Sequence, residues 1–290
     1  NGSICGTVKK TDTSEAELAH MMIGRELETL EKPGTEDMSN RRVRLAVKDL
    51  SIKPKDHTPL LEDINFEIHE GEVLGFAGVS DNGQQELCEA IYGGIPITSG
   101  RIELDGEDVT NESVKDRIKL GMGYAAADRY RYGMVAEMSM SENMLLKSSY
   151  LNKWVNHGLI RWSALHRYTE DSIKQYAIKA PDHTVTAGSL SGGNQQKVII
   201  GRWLLTNPDF LILDEPANGL DPFGIRQLRE MLVSFAESGM TVLVSSHILG
   251  EIQQTADYIG ILANGVLGYQ GGQQENLEEL FTEIVSRNRG

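Results

Sequence analysis

The chain has 290 residues, of which 40% are hydrophobic and 24% charged, the balance of a globular protein with a full core and not of a disordered one. Its formal net charge of −14 has the wrong sign for holding nucleic acid by phosphate neutralisation, so nucleic acid is not expected as a partner. Apolar runs such as Val73 to Val79 and Val198 to Leu205 fall far short of the roughly 18 to 20 residues of a membrane-spanning helix, so the chain is not expected to cross a bilayer.

Residues 1–40 are polar, carry Pro33-Gly34, and predict one helix from Ser14, with Glu17 completing a capping box and Leu18, Met21 and Met22 behind it. This head has no initiator Met and no secretory signal pattern, and a piece of a longer protein is the expectation. Cys5 and Cys88 lack paired or metal-like spacing, which argues against a disulfide framework or zinc site and for a reducing compartment.

From Arg41 the pattern alternates through Val43, Leu45 and Val47, then Ile64, Phe66 and Ile68, then Ile102 and Leu104. Turn signals at Glu70-Gly71 and Asp105-Gly106 separate these segments, which predict half-buried antiparallel strands. Val73 to Val79, Phe210 to Leu213 and Thr241 to Ser246 are instead continuous apolar or small-residue runs, as in strands buried on both faces of a parallel sheet. Leu165, Tyr168, Ile173 and Tyr176 predict one helix face, and Ile225, Leu228, Leu232 and Phe235 another, the second opened by Asp221 as N-cap and Pro222 as first residue. Asn264-Gly265 signals a hairpin, and Leu277, Leu280, Phe281 and Ile284 a closing amphipathic helix. Strands alternating with helices around a parallel core give an α/β fold with an antiparallel layer added on the N-terminal side.

The chemistry concentrates in three places. Leu190-Ser191-Gly192-Gly193-Asn194-Gln195-Gln196-Lys197 is a Ser-Gly-Gly turn entering an amphipathic helix through Val198, Trp203 and Leu204. Its free first-turn N–H groups and positive dipole end suit a phosphate. Phe210-Leu211-Ile212-Leu213 then ends in Asp214-Glu215, two carboxyls delivered at the carboxyl end of a buried strand. There Asp214 could hold Mg²⁺ through water and Glu215 could polarise a water for attack on a phosphoryl group. Last, Ser245-Ser246-His247 follows another buried strand.

In this order the motifs resemble those of an ATP-binding-cassette (ABC) nucleotide-binding domain over about residues 41–290. The resemblance implies a P-loop NTPase-type parallel core, an antiparallel β subdomain and a helical subdomain over about 135–205, where a membrane partner would be contacted. It makes Leu190 to Gln195 the signature, Asp214 the Walker B aspartate, Glu215 the catalytic glutamate, Asp221 the D-loop acid and His247 the switch histidine. ATP and Mg²⁺ are the implied ligands.

The phosphate loop departs from the family pattern. Gly78-Val79-Ser80-Asp81-Asn82-Gly83-Gln84-Gln85-Glu86 keeps two glycines five apart, but Gln84 stands where Lys belongs and Gln85 where a Mg²⁺-binding Ser or Thr belongs. One lost charge-assisted contact costs about 1.5 to 3 kcal/mol, and Glu86 adds repulsion. Ala127 replaces the usual Q-loop Gln or Glu, and no aromatic between Val43 and Ile64 is available to stack on adenine.

The degenerate loop, Asp128-Arg129 and the head resemble the second cassette of tandem-cassette subunits of simple-sugar and nucleoside importers. Residues 1–40 would then be the tail of a preceding cassette and its linker. The expected partners are that other cassette, whose ATP the Ser191 to Gln195 segment would cover, and transmembrane permease subunits, with the chain peripheral on the cytoplasmic face of the membrane. From Pro216 on, Asn218-Gly219-Leu220-Asp221-Pro222 and Ser245-Ser246-His247 are more similar to peptide-antibiotic exporter ATPases. A nucleotide-binding regulatory module without turnover is the further alternative. Arg129-Tyr130-Arg131-Tyr132 is expected to be a solvated loop, and Trp154, Trp162 and Trp203 packing residues.

Overall fold

The computed structural model describes residues 38, 40–54, 59–79, 82–149, 154–272 and 276–287. The helix expected from Ser14 and the residues Cys5, Ser80 and Asp81 lie outside them.

Four strands build the antiparallel layer: β1 (Val43–Ile52), β2 (Leu61–His69), β4 (Ser99–Leu104) and β5 (Glu107–Asp108), in the order β2-β1-β4-β5. Leu45, Val47, Ile64, Ile68, Ile102 and Leu104 face the core, as their alternation requires. β1 departs from strict alternation at Arg44, which is buried because Asp105 and Glu70 both pair with it, Asp105 at 2.6 Å.

The second sheet runs β12-β11-β3-β10-β9-β6. Its parallel members are β3 (Val73–Ala77), β6 (Met122–Ala125), β9 (Phe210–Leu213), β10 (Thr241–Ser246) and β11 (Tyr258–Ala263), with β12 (Val266–Gly272) antiparallel at the edge. Every residue of β3, β9 and β10 is buried, which is why these segments are apolar throughout. Each large side chain so buried contributes about 1.5 to 3 kcal/mol. Asn264 and Gly265 take φ of 50° and 76° in the β11–β12 turn, the left-handed pair that a two-residue hairpin demands.

The helices are α1 (Gln84–Tyr92), α2 (Val114–Lys119), α3 (Met140–Leu145), α4 (Trp162–Gln175), α5 (Gly192–Leu204), α6 (Pro222–Glu237), α7 (Leu249–Gln253) and α8 (Leu277–Arg287); α3 packs on α4 and α5, and the others lie against the sheet. Asp221 caps α6 with Pro222 behind it, as expected, its Oδ1 accepting the Gly224 N–H at 2.7 Å. A short hairpin of β7 (Val155–Asn156) and β8 (Leu159–Ile160) precedes α4.

Two apolar clusters form. The larger spans both sheets; the smaller gathers Met140, Met144, Trp154, Leu165, Leu190 and Val198. α5 stands between them, and this corrects its expected amphipathic character: every residue from Asn194 to Trp203 is buried, because Ile199, Ile200 and Trp203 pack on the sheet while Val198 packs into the smaller cluster. Of the three tryptophans, Trp154 and Trp203 are packing residues, whereas Trp162 is 40% exposed and rests against His166. Among the described residues no helix is long and apolar enough to cross a membrane.

Candidate functional site

Parallel register brings the chemistry together. Ser246 pairs with Ala77, Val244 with Leu213, and Leu213 with Ala125, so four neighbouring strands end at nearly one level. The residues that follow them, Gly78, Ala127, Asp214 and His247, leave the sheet along one edge, the place where open α/β sheets bind ligands. A cleft of about 190 Å³ opens there, lined by Gly83, Gln84, Gln85, Glu86, Ala127, Asp214, Glu215, Asn218 and His247.

On the acidic wall, Asp214 is 1% exposed. Ser245 Oγ donates to its Oδ1 at 2.7 Å and accepts the Glu215 backbone N–H at 2.9 Å, so one hydroxyl sets both acids. Burial, only partly offset by that hydroxyl, raises the Asp214 carboxyl to about 6. Glu215 takes a φ of 46°, a left-handed conformation that costs a non-glycine residue about 1 kcal/mol or more. Its Oε2 lies 2.7 Å from His247 Nδ1, and burial raises its carboxyl while the His247 contact opposes the rise. A carboxylate held against an imidazole beside a second, buried acid can orient a water and take up its proton.

The opposite wall is the loop after β3. Gly83, at φ 103°, opens α1 with no side-chain cap, leaving first-turn N–H groups toward the cleft. Asn82 Nδ2 and Gln84 Nε2 both donate to the Val79 carbonyl, at 2.8 and 3.3 Å. Gln84 is buried, and its amide fills the space beside Gly78, where a Cβ would collide with it. The Gln85 amide turns to Glu89 Oε1 at 2.8 Å. Asn82 also ties the loop to the hairpin turn, its Oδ1 accepting the Asn264 N–H at 2.7 Å and its carbonyl the Gly265 N–H at 3.0 Å.

The structure does not bring Ser191, Gly192, Gly193, Asn194, Gln195 or Asp221 to this cleft. Ser191 to Gln195 open α5, and Asp221 caps α6 after the Gly219 turn, whose carbonyl lies beside Gly192. Asn194 Nδ2 donates to Ser191 Oγ at 2.8 Å, so the serine hydroxyl makes no cap bond to the helix amides. Gln195 Nε2 donates to the Leu190 carbonyl at 3.0 Å. Arg129, expected to be solvated, donates instead to the Gly192 carbonyl at 3.0 Å, while Tyr130 and Tyr132 are 63% and 54% exposed.

Three positions escaped sequence reasoning in these roles: Ser245, Asn218 and Arg129. Only Ser245 left a signal, as a hydroxyl at the end of a wholly buried strand, where it must find a polar partner.

The family model described as ABC transporter matches residues 61–218. The nucleoside import ATP-binding protein NupA of Lactococcus lactis subsp. cremoris is 32% identical over 288 residues, covering 99% of this chain and 56% of that protein. The xylose import ATP-binding protein XylG of Moorella thermoacetica is 35% identical over 287 residues, covering 96% and 55%. The chain thus spans about half the length of the curated relatives it matches. A solved nucleotide-free ATP-binding cassette of an ABC transporter shares the fold with a TM-score of 0.69 at 21% identity, covering 86% of this chain and 99% of that one. A dimeric post-hydrolysis cassette bound to ADP and Pi does so at the same TM-score and 20% identity, covering 79% and 99%. A match over more than half of the chain, on a sheet whose strand ends gather the acids and the glycine loop, makes this chain a member of the ABC transporter family, an ATP-binding domain in its fold.

Proposed function

We propose that this chain is the second of two paired cassettes that energise import of a simple sugar or nucleoside, and that its main contribution to ATP turnover is made in trans. In this reading its own phosphate loop, 78–86, is degenerate, and the signature residues Ser191 to Gln195 complete the ATP site of a partner cassette, with Asp221 in the adjoining D-loop. One observation carries it: the cleft is lined by Glu86, Asp214 and Glu215 with no Lys or Arg among its described lining residues. Three carboxyls without a fixed cation oppose a triphosphate, and the amide at the lysine position bonds to its own loop.

Import is supported by the printed names of relatives that cover nearly all of this chain. Their greater length supports a first cassette within the same polypeptide, with residues 1–40 as the tail and linker, 41–290 as this cassette and about 135–205 as its helical subdomain. Transmembrane permease subunits would complete the assembly, placing the chain on the cytoplasmic face of the membrane. Mg²⁺ carried with ATP would be held by Asp214 through water, next to Gln85. Glu215 and His247 would serve hydrolysis in this chain's own cleft, to the extent that the cleft loads.

Calorimetric titration of Mg-ATP into this chain beside Gln84→Lys tests the reading. Weak binding that the variant strengthens about ten- to a hundredfold is expected, the worth of one charge-assisted contact. Tight binding by the natural sequence would overturn the degenerate-loop reading. The absence of Lys and Arg among the described lining residues is also compatible with a second reading, a regulatory module that binds nucleotide without turnover. Loss of the signature decides between them, because a purely regulatory cassette would leave turnover standing.

A further inference from the structure

Arg129 follows Ala127 out of the cleft but serves the start of α5. Asp128 Oδ1 accepts the N–H groups of Tyr130 and Arg131 at 3.0 and 2.9 Å and so starts the π-helical turn Arg129–Gly133. Turns of this type are rare and recur at functional sites. This one directs Arg129 Nη1 to the Gly192 carbonyl, at 3.0 Å. The guanidinium also lies along the Gly219 turn. A Cβ at Gly219 would stand 3.0 Å from Nη2; one at Gly192 would stand 3.3 Å from Nη1 and 3.1 Å from the Gly219 carbonyl oxygen. Tyr130 Oη adds a second tie, donating to Gln195 Oε1 at 3.2 Å.

Gly192 is the first residue of α5, whose opening N–H groups have no partner within the helix. Their direction depends on how the Gly192 peptide is held, and a charge-assisted bond to its carbonyl holds it. We infer that Arg129 is a positioning residue, clamping the signature turn at Gly192 to the Gly219 turn and tying both to the loop that leaves the nucleotide cleft at Ala127. The inference rests on the reading that the signature acts in trans. It gives Gly192 a steric reason for lacking a side chain, and at Gly219 the same crowding adds to a left-handed φ of 68°. A change at the cleft that moves residues 127–129 then moves the face offered to the partner cassette.

The test is ATP turnover by the full-length protein assembled with its membrane partners, comparing Arg129→Ala, Arg129→Lys and Ser191→Glu. Ser191 is exposed, so a carboxylate there repels phosphate without entering the core. Arg129→Ala is expected to lower kcat about tenfold or more with KM for ATP within twofold. Arg129→Lys, which keeps one charged donor for the Gly192 carbonyl, is expected to recover kcat to within about threefold of the natural protein. If Arg129→Ala does not yield a folded protein, Arg129→Gln replaces it with the same expectation. Turnover that survives loss of the guanidinium while Ser191→Glu abolishes it overturns the clamp alone. Failure of Arg129→Lys to recover any of the kcat lost in a folded Arg129→Ala variant also overturns it, since a charged donor to the Gly192 carbonyl then counts for nothing. Turnover that survives Ser191→Glu overturns the in-trans reading instead.

Discussion

The two walls of the cleft differ in where their polar groups are spent. On the strand ends, Asp214, Ser245, Glu215 and His247 form an unbroken chain of contacts between 2.7 and 2.9 Å. Across from them the loop after β3 has a glycine turn and a helix start, and Asn82 and Gln84 spend their donors on the loop's own Val79 carbonyl. Shape and charge have different supports. The turn is carried by a positive φ at Gly83 and by bonds to the Asn264-Gly265 hairpin, so several residues hold it. A fixed positive charge there rests on one side chain, and a single replacement removes it.

The largest expected effect comes from restoring the weaker wall. In a full-length protein carrying Gln84→Lys and Gln85→Ser, Glu215→Gln should cut turnover through this cleft by about a hundredfold or more, as loss of a general base does. In the natural background the same Glu215→Gln should change total turnover less than about threefold. A large loss there would show that the acidic wall works without the missing lysine and would end the contrast between the walls.

Asp214→Asn probes what the intact wall costs the fold. With its carboxyl raised from the ordinary 3.8 to about 6 by burial, the folded state holds a proton that the unfolded state releases. The resulting stability is present below about pH 4 and is lost as pH rises through about 6, leaving a penalty of about 3 kcal/mol at pH 8. Asn can still accept from Ser245, so the variant should melt higher than the natural chain at pH 8, with the gain vanishing near pH 4. Melting curves at the two pH values check this; an equal shift at both would assign the effect to packing.

Asn82→Ala is the mildest intervention. It removes the side-chain bonds to Val79 and Asn264 and should lower stability by about 1 to 2 kcal/mol in urea unfolding. Glu215 and His247 share no bond with Asn82, so the pH dependence of turnover should not move. A change there would mean that the two walls are coupled through the hairpin.

Much of this molecule was legible locally. Strands β3, β9 and β10 followed from apolar runs, α6 from Asp221-Pro222, and the β11–β12 hairpin from Asn264-Gly265, because backbone preference and burial on both faces leave their mark within a few residues. That residues 84 and 85 are both Gln, without charge, was equally plain, since charge is a matter of residue identity. Only tertiary structure decided the rest. Ser245 bridges Asp214 and Glu215 because β9 and β10 are neighbours in register, and Arg129 reaches Gly192 across 63 residues of sequence. α5 is buried on every side because two separate cores meet on it. Periodicity records how an element meets its own surroundings, whereas a hydrogen bond between distant segments depends on where the whole chain has placed both ends, and no local pattern carries that distance.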